Sequence, residues 1–437
     1  MTDIDAPLQR PVPFWLRIIL YVLLFGFVFT ILSYIPREAT PMFLCTIAAG
    51  ALVFILIGYH GRSISWREIL VFSFAIRLGL LFTPVHWSDD VYRFFWDGLK
   101  VKNLESPYHQ APIEDDRKND WTELFNRMNS ASYHSPYPPV CQYIWALTSN
   151  STGNPVQLRF VFILFDILNI WLLYRLLIVY GRPGWQVIWY AFNPFVLIEG
   201  IGQLHPELLV VTFMLGLIWA IQLEYFNAAG FAMGLAICTK LWPAVALIVL
   251  YPRLPKQQWL KVASIALGVC VLLYAPLLHL EDIESMSKSF LLYFSAFEFN
   301  ASFYYLIKQC YVFFYPEAGG AWISKILGLG WLIYILWLSR RKNDAFPLLL
   351  YAAFGTQLLF SAVVHPWYLL PLLVYGLLSG QWAALVWSLL VFLSYSHYFD
   401  GGFEEQPIFI MMEYSFLFLA MGFEYYIQSL SKKEFIE

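Results

Sequence analysis

Trp87-Ser88-Asp89-Asp90-Val91-Tyr92-Arg93-Phe94-Phe95-Trp96-Asp97-Gly98 carries a burst of carboxylates directly after a long apolar run, in a chain that otherwise avoids charge. Ionisable groups at the edge of a bilayer cost free energy, so a cluster of this kind marks a candidate functional site. The chemistry on offer is general-base catalysis, one carboxylate taking a proton from an attacking hydroxyl. Asp89 and Asp90 are the candidate catalytic pair. Helix capping is the structural alternative: Ser88 or Asp89 accepts backbone N–H bonds, and acids favour the positive end of the dipole. Capping accounts for one acid more readily than for two in a row.

Other unusual polar residues recur along the chain. Tyr108 follows Pro107, and Tyr137 lies in Tyr133-His134-Ser135-Pro136-Tyr137-Pro138-Pro139. Such rings bind sugar faces over an aqueous pocket, or populate the membrane interface. Asn193-Pro194, Glu199, Gln203, His205 and Glu207 sit in or beside apolar spans. A carboxylate such as Glu199 inside a span needs a partner or a proton, whereas Glu207 suits the first turn of a helix. His205 reads as a pocket hydrogen bonder, with a metal ligand the weaker alternative. Lys240 interrupts another apolar run, either to snorkel to an interface or to meet an anionic lipid head. Asn300, His365, Trp367 and Tyr368 add further donors and rings. The five cysteines are scattered without a C-x-x-C pair, so they read as packing residues, with neither a zinc site nor a disulfide framework. No cofactor or metal is expected.

The elements that must position these groups are membrane helices. The 437 residues are 59% hydrophobic and only 13% charged, against roughly 25% charged in a soluble protein, and the mean hydropathy is +0.60. Apolar runs fall near 14–35, 41–58, 66–85, 158–180, 185–203, 206–224, 228–250, 260–279, 320–338, 345–363, 366–380, 382–398 and 408–429. Each approaches the ~20 residues that cross a bilayer, and continuous runs argue against a strand barrel. The fold class expected is all-α, a polytopic integral membrane protein of about 12–13 segments in one domain, residues 1–437.

Lys and Arg positions set the orientation. Arg10, Arg17, Arg62, Arg67, Arg175, Arg182, Arg253, Lys256, Lys261, Arg340, Arg341, Lys342, Lys432 and Lys433 are read as cytoplasmic, giving N-in and C-in. Parity then requires 228–250, interrupted by Lys240 and Pro243, to enter and leave on the same side as a broken or re-entrant element. The 86–157 loop, Gln203–Glu207, the 280–305 stretch, His365–Tyr368 and the 397–407 loop emerge together on the outer side. Within the long loop, residues 90–101 read as an amphipathic helix lying flat on the membrane, with Tyr92 and Trp96 among the headgroups. The acidic start, with no small-x-small site after the first run, predicts a retained anchor rather than a removable signal peptide. A net charge of -3 and no basic tract give no sign of a nucleic-acid partner.

Ser88-Asp89-Asp90-Val91-Tyr92-Arg93-Phe94-Phe95-Trp96-Asp97-Gly98, Ser106-Pro107-Tyr108 and Tyr137-Pro138-Pro139 resemble the first outer loop of GT-C glycosyltransferases. The chain is most similar to bacterial polyprenol-phosphate-mannose-dependent mannosyltransferases and the catalytic subunit of GPI mannosyltransferase I. Asn193-Pro194, Glu199-Gly200, Gly202–Glu207, Lys240-Leu241-Trp242-Pro243 and His365-Pro366-Trp367-Tyr368 extend the resemblance in order over most of the chain. It departs at Asn103–Tyr108, which lacks a glycine common in that family, and at Leu204-His205-Pro206-Glu207, where Gly-His-Asn-Asp is common.

The resemblance implies a GT-C-like inner-membrane enzyme with an extracytoplasmic active site. It would move a hexose, by expectation mannose, from a polyprenyl phosphate to a glycan or glycolipid acceptor with inversion. Asp89 would be the base and Asp90 its orienting partner. Arg93, Lys240 and His365 would face the donor phosphate; Tyr108, Tyr137, Glu199, His205, Asn300, Trp367 and Tyr368 would contact substrate. The competing class is a secondary transporter of a polar solute, using Glu199, Lys240 and the acids. Paired inverted repeats and a mid-membrane site would mark it. The one-sided polar groups and a long loop without a counterpart point the other way. A non-catalytic subunit of a lipid-sugar assembly is a third reading.

Overall fold

The computed structural model describes residues 12–285, 287, 297–315 and 321–433. Arg10, the acidic start and residues 288–296 of the 280–305 stretch lie outside these, as do the side chains of Lys432 and Lys433.

The described residues are helical, with one isolated parallel bridge pairing Phe299 and Val363. Helices close every backbone hydrogen bond within the segment, which apolar surroundings demand. The chain opens with α1 (Phe14–Tyr34), α2 (Thr40–Tyr59) and α3 (Trp66–Gly79). Ser65 caps α3 by accepting the Glu68 N–H at 3.2 Å, the first half of a Ser-x-x-Glu start. The long 86–157 loop supplies α4 (Asp90–Lys102), α5 (Thr122–Arg127) and α6 (Pro139–Thr148). Then come α7 (Val156–Val179), the short α8 (Ile188–Ala191), a π-helical turn Val196–Gly202 and α9 (Glu207–Gln222). They are followed by α10 (Phe226–Ile237), α11 (Val245–Leu250) and α12 (Lys256–Tyr274).

Among the described residues, six helices are long and apolar enough to cross a membrane: α1, α2, α7, α12, Trp322–Ser339 and Pro407–Leu430. The π-helical turn and α9 make a seventh if read as one span bent by 105°. Other expected spans are shorter or divided. The 185–203 run splits at Asn193-Pro194 into α8 and the π turn, and 382–398 passes from Ala383–Leu390 into a 3-10 helix.

The 228–250 run is a hairpin-like broken element. Gly230 packs on Val262 and Ile265, and Gly234 on Ala266 and Val269, so α10 and α12 run parallel. Two parallel helices begin at the same end of the bundle, so residues 239–255 carry the chain back to where α10 began. Arg253 there donates to the carbonyls of Ser339 and Arg341.

The surface-helix expectation for residues 90–101 is overturned. The helix forms, but Val91 to Lys100 are all buried. Its polar residues are paired inward: Arg93 with Asp97 at 2.7 Å, and Lys100 with Asp115 and Glu105. Trp96 packs edge-on to Trp121, and Phe94 stacks on Trp145 of α6 at 4.3 Å. Gly98 permits that crossing; a Cβ there would sit 2.2 Å from Ser149 Oγ and 2.6 Å from the Trp145 carbonyl carbon. The amphipathic pattern faces protein on both sides because the Arg93–Asp97 and Lys100–Asp115 pairs neutralise its polar face.

Candidate active site

The Asp89-Asp90 corner is built by two buried side chains on other elements. Arg159 of α7 donates to the carbonyls of Leu81 and Thr83 before the corner, and to those of Ile201 and Gly202 at the end of the π turn. Gln203 then accepts the backbone N–H groups of Trp87 and Ser88 at 3.1 and 3.2 Å. Trp87 is wedged between Phe43 and Tyr395, with ring centroids at 4.2 and 4.9 Å. The corner is thus fixed against the π turn before its carboxylates do anything.

Those carboxylates are not spent on the helix. Asp89 occupies the N-cap position of α4 without a capping bond, and Ser88 Oγ reaches the Asp90 N–H only at 3.4 Å. Asp89 Oδ2 instead pairs with Nη1 of Arg37, from the α1–α2 connection, at 3.0 Å. Arg37 also lies 5.0 Å over the Tyr398 ring. Asp90 turns toward Asn129 at 3.5 Å. Burial pushes the Asp90 carboxyl up from the usual aspartate range, and Asn129 and the Lys240 charge pull it back in part.

The facing wall comes from the bend between the π turn and α9. Leu204 takes a φ of 64°, a left-handed conformation that costs a non-glycine residue on the order of 1 kcal/mol. This delivers His205 and Glu207 to the site. Glu199 accepts from Tyr395 Oη at 2.8 Å and lies 3.5 Å from His205 Nε2. His205 stacks on Trp367 at 3.7 Å, Trp367 on His365 at 4.5 Å, and His365 on Phe299 at 5.0 Å. This four-ring column is held in register where Phe299 bonds the backbone of Ala362 and Val364.

Lys240 completes the group from the break after α10. The first turn of α6 docks there through Val140 N–H to Cys238 O at 2.8 Å, which brings Tyr137 alongside. Lys240 Nζ meets Glu207 at 2.9 Å and lies 5.9 and 5.4 Å from the Tyr137 and Tyr368 ring centroids. Asp89, Asp90, Tyr137, Glu199, His205, Lys240, His365, Trp367 and Tyr368 therefore gather at one end of the bundle.

Three sequence candidates do not join them. Arg93 spends its guanidinium on Asp97 and the carbonyls of Ser130 and Tyr133. Tyr108 is buried, its hydroxyl donating to the Tyr137 carbonyl at 2.9 Å. Asn300 is enclosed, its amide on Glu413 and its N–H on Glu405, where it secures Phe299. All three are engaged in hydrogen bonds that brace the surrounding loop and helices. Sequence reasoning missed Arg37, Tyr395 and Tyr398. Arg37 carried a signal: an arginine in a short connection between two apolar runs. Glu207, read from the sequence as a first-turn helix acid, does begin α9 and is also the counter-ion of Lys240.

Among the described residues, one cluster has metal-ligand spacing: His109, Glu281 and Asp282. It lies at the loop-to-α12 junction, where Asp282 accepts from Ser106 at 2.9 Å and from His109 at 3.0 Å. Burial alone would raise the Asp282 carboxyl, but its bonds from the His279 N–H, His109 and Ser106 outweigh it and hold the group low.

Two comparisons bear on this arrangement. Alpha-(1->6)-mannopyranosyltransferase A of Mycobacterium tuberculosis is 27% identical over 218 residues, which is 45% of this chain and 41% of that protein. The chain thus matches less than half the length of this relative. The model of the alpha-(1->6)-mannopyranosyltransferase N-terminal domain matches residues 22–254, the stretch that contributes Arg37, the aspartate corner, Tyr137, the π turn and Lys240. With more than half its length so matched, the chain belongs to the alpha-(1->6)-mannopyranosyltransferase (MptA_B) family.

Proposed function

We propose that this protein is an inverting mannosyltransferase that moves mannose from a polyprenyl phosphate to a glycan or glycolipid hydroxyl on the extracytoplasmic face of a bacterial inner membrane. The observation that carries the reading is the gathering, among aromatic rings, of two adjacent carboxylates not spent on helix capping with two cations, Arg37 paired to Asp89 and Lys240 paired to Glu207. Asp89 takes the proton of the acceptor hydroxyl as its oxygen attacks the anomeric carbon. The bond from that carbon to the phosphate oxygen breaks, and its electron pair leaves with the lipid phosphate. A phosphate departs as an anion without needing a proton, so one base suffices and the two-carboxylate chemistry of a glycosidase is unnecessary. Asp90 orients the acceptor, and Lys240 with His365 offsets the charge that develops on the leaving group. The ring faces of Trp367, Tyr368 and Tyr137 suit a sugar.

The relative's name supports mannose and an alpha-(1->6) linkage, so the acceptor hydroxyl is the 6-hydroxyl of a mannose. One-sided convergence of the polar groups supports the outer face and disfavours transport. The test is to incubate the full chain in bilayer discs with a panel of polyprenyl-phosphate sugars and a mannoside acceptor. Release of free polyprenyl phosphate with the mannosyl donor is expected. Release from no donor, or solute uptake by proteoliposomes without transfer, would overturn the reading.

A further inference from the structure

The Arg37–Asp89 pair joins a cation to the residue assigned as base, which is an odd use of a base unless the pair opens. Both side chains remain partly accessible, Arg37 at 20% and Asp89 at 28%, so a ligand can reach them. The rest of the guanidinium is held loosely: Nε meets the exposed Glu38 at 3.3 Å, and the plane rests on Tyr398. An ion pair this exposed is weak. A phosphate, by contrast, accepts two parallel N–H bonds from the same planar fork. Lys240 cannot do this in the same way, because its point charge is already set against buried Glu207.

We propose that Arg37, which pairs with Asp89, is a further residue that binds the donor phosphate, alongside Lys240. This rests on the lipid-phosphate reading of the site. Phosphate arriving on Arg37 displaces Oδ2 of Asp89, so the base is released only when a donor is present. During transfer the phosphodiester becomes a phosphate monoester, the acceptor proton passes to Asp89, and the added negative charge on phosphate is shared by Arg37 and Lys240.

The test is direct binding of polyprenyl phosphate, the sugar-free product, to the full chain in bilayer discs. Arg37→Ala is expected to weaken binding at least tenfold, and Arg37→Lys to recover part of it. Asp89→Asn frees the guanidinium and is expected to tighten binding several-fold, although it abolishes transfer. A pair with only a structural role would weaken or leave unchanged both variants. Equal affinity in Arg37→Ala and wild type, or weaker binding in Asp89→Asn, overturns the assignment while leaving the transfer reaction intact. A wild type that binds no polyprenyl phosphate takes down the donor reading and this assignment together. Donor KM, raised in Arg37→Ala by more than the acceptor KM, is the matching kinetic signature.

Discussion

Lys240 Nζ lies 2.9 Å from the Glu207 carboxylate, and this contact joins the break after α10 to the first turn of α9. Glu207 is 1% exposed and Lys240 22%, so each needs the other more than a surface pair would. Removing one partner leaves a buried charge, while removing both need not destabilise. Lys240→Met should cost about 1–3 kcal/mol of stability, and Lys240→Met with Glu207→Leu should regain most of it without restoring transfer. Thermal unfolding of the two variants beside their transfer rates checks this. A double variant as active as wild type would remove the pair from the reaction.

Gln203 is the second positioning residue. Its one carbonyl oxygen serves two backbone N–H groups, those of Trp87 and Ser88. Gln203→Ala leaves both buried donors without it, at roughly 1–3 kcal/mol each if water does not replace it. The aspartate corner then loosens. Transfer should fall at least about tenfold, since a misplacement of 1 Å at a reacting group can cost about a hundredfold. The fall should appear in kcat, with donor affinity preserved; equal kcat would show that Arg159 alone fixes the corner.

Gly98 tests the enclosure of α4. A methyl group at that position meets Ser149 and the Trp145 backbone, so Gly98→Ala should destabilise by about 1–3 kcal/mol through overpacking. On a surface-lying helix the same change would stabilise, because alanine is the better helix former. The sign of the change in unfolding temperature decides between the two placements.

Asp282 and Asp90 predict opposite pH trends. Asp282 is held low, so its contribution is present above the ordinary aspartate value of 3.8 and is lost as pH falls through its depressed value. Asp90 is pushed up by burial, so its contribution is full below 3.8 and is lost as pH rises through its raised value. Asn resembles the protonated acid, so Asp282→Asn and Asp90→Asn should both match the wild-type unfolding temperature at the low-pH end; as pH rises Asp282→Asn should fall below wild type and Asp90→Asn should rise above it. Parallel curves would contradict the assigned environments.

Much of this was legible in the chain. Continuous apolar runs announced helices, and the charged interruptions at Asp89, Glu199, Lys240 and His365 marked the segments that meet. The parity of the basic loops pointed to a broken or re-entrant 228–250 run, interrupted at Lys240 and Pro243. Burial of α4 was not legible, because a helix whose acids and bases pair within the protein has the same period as one half in water. Nor did composition reveal which aromatic residues join the site: Tyr108 and Tyr137 sit in similar proline-rich contexts, yet one braces the other. Arg37 was hidden by its ordinariness, one of two adjacent charges in a five-residue connection between α1 and α2.

The central claim is that Asp89 is the base. The measurement is polyprenyl phosphate released per enzyme by Asp89→Asn, from a mannosyl donor at saturation, with unfolding temperature and lipid binding recorded on the same sample. Loss of a general base predicts a fall of about 10²–10⁴-fold in a protein that remains folded and still binds the lipid. Release at the wild-type rate from that variant would contradict the account.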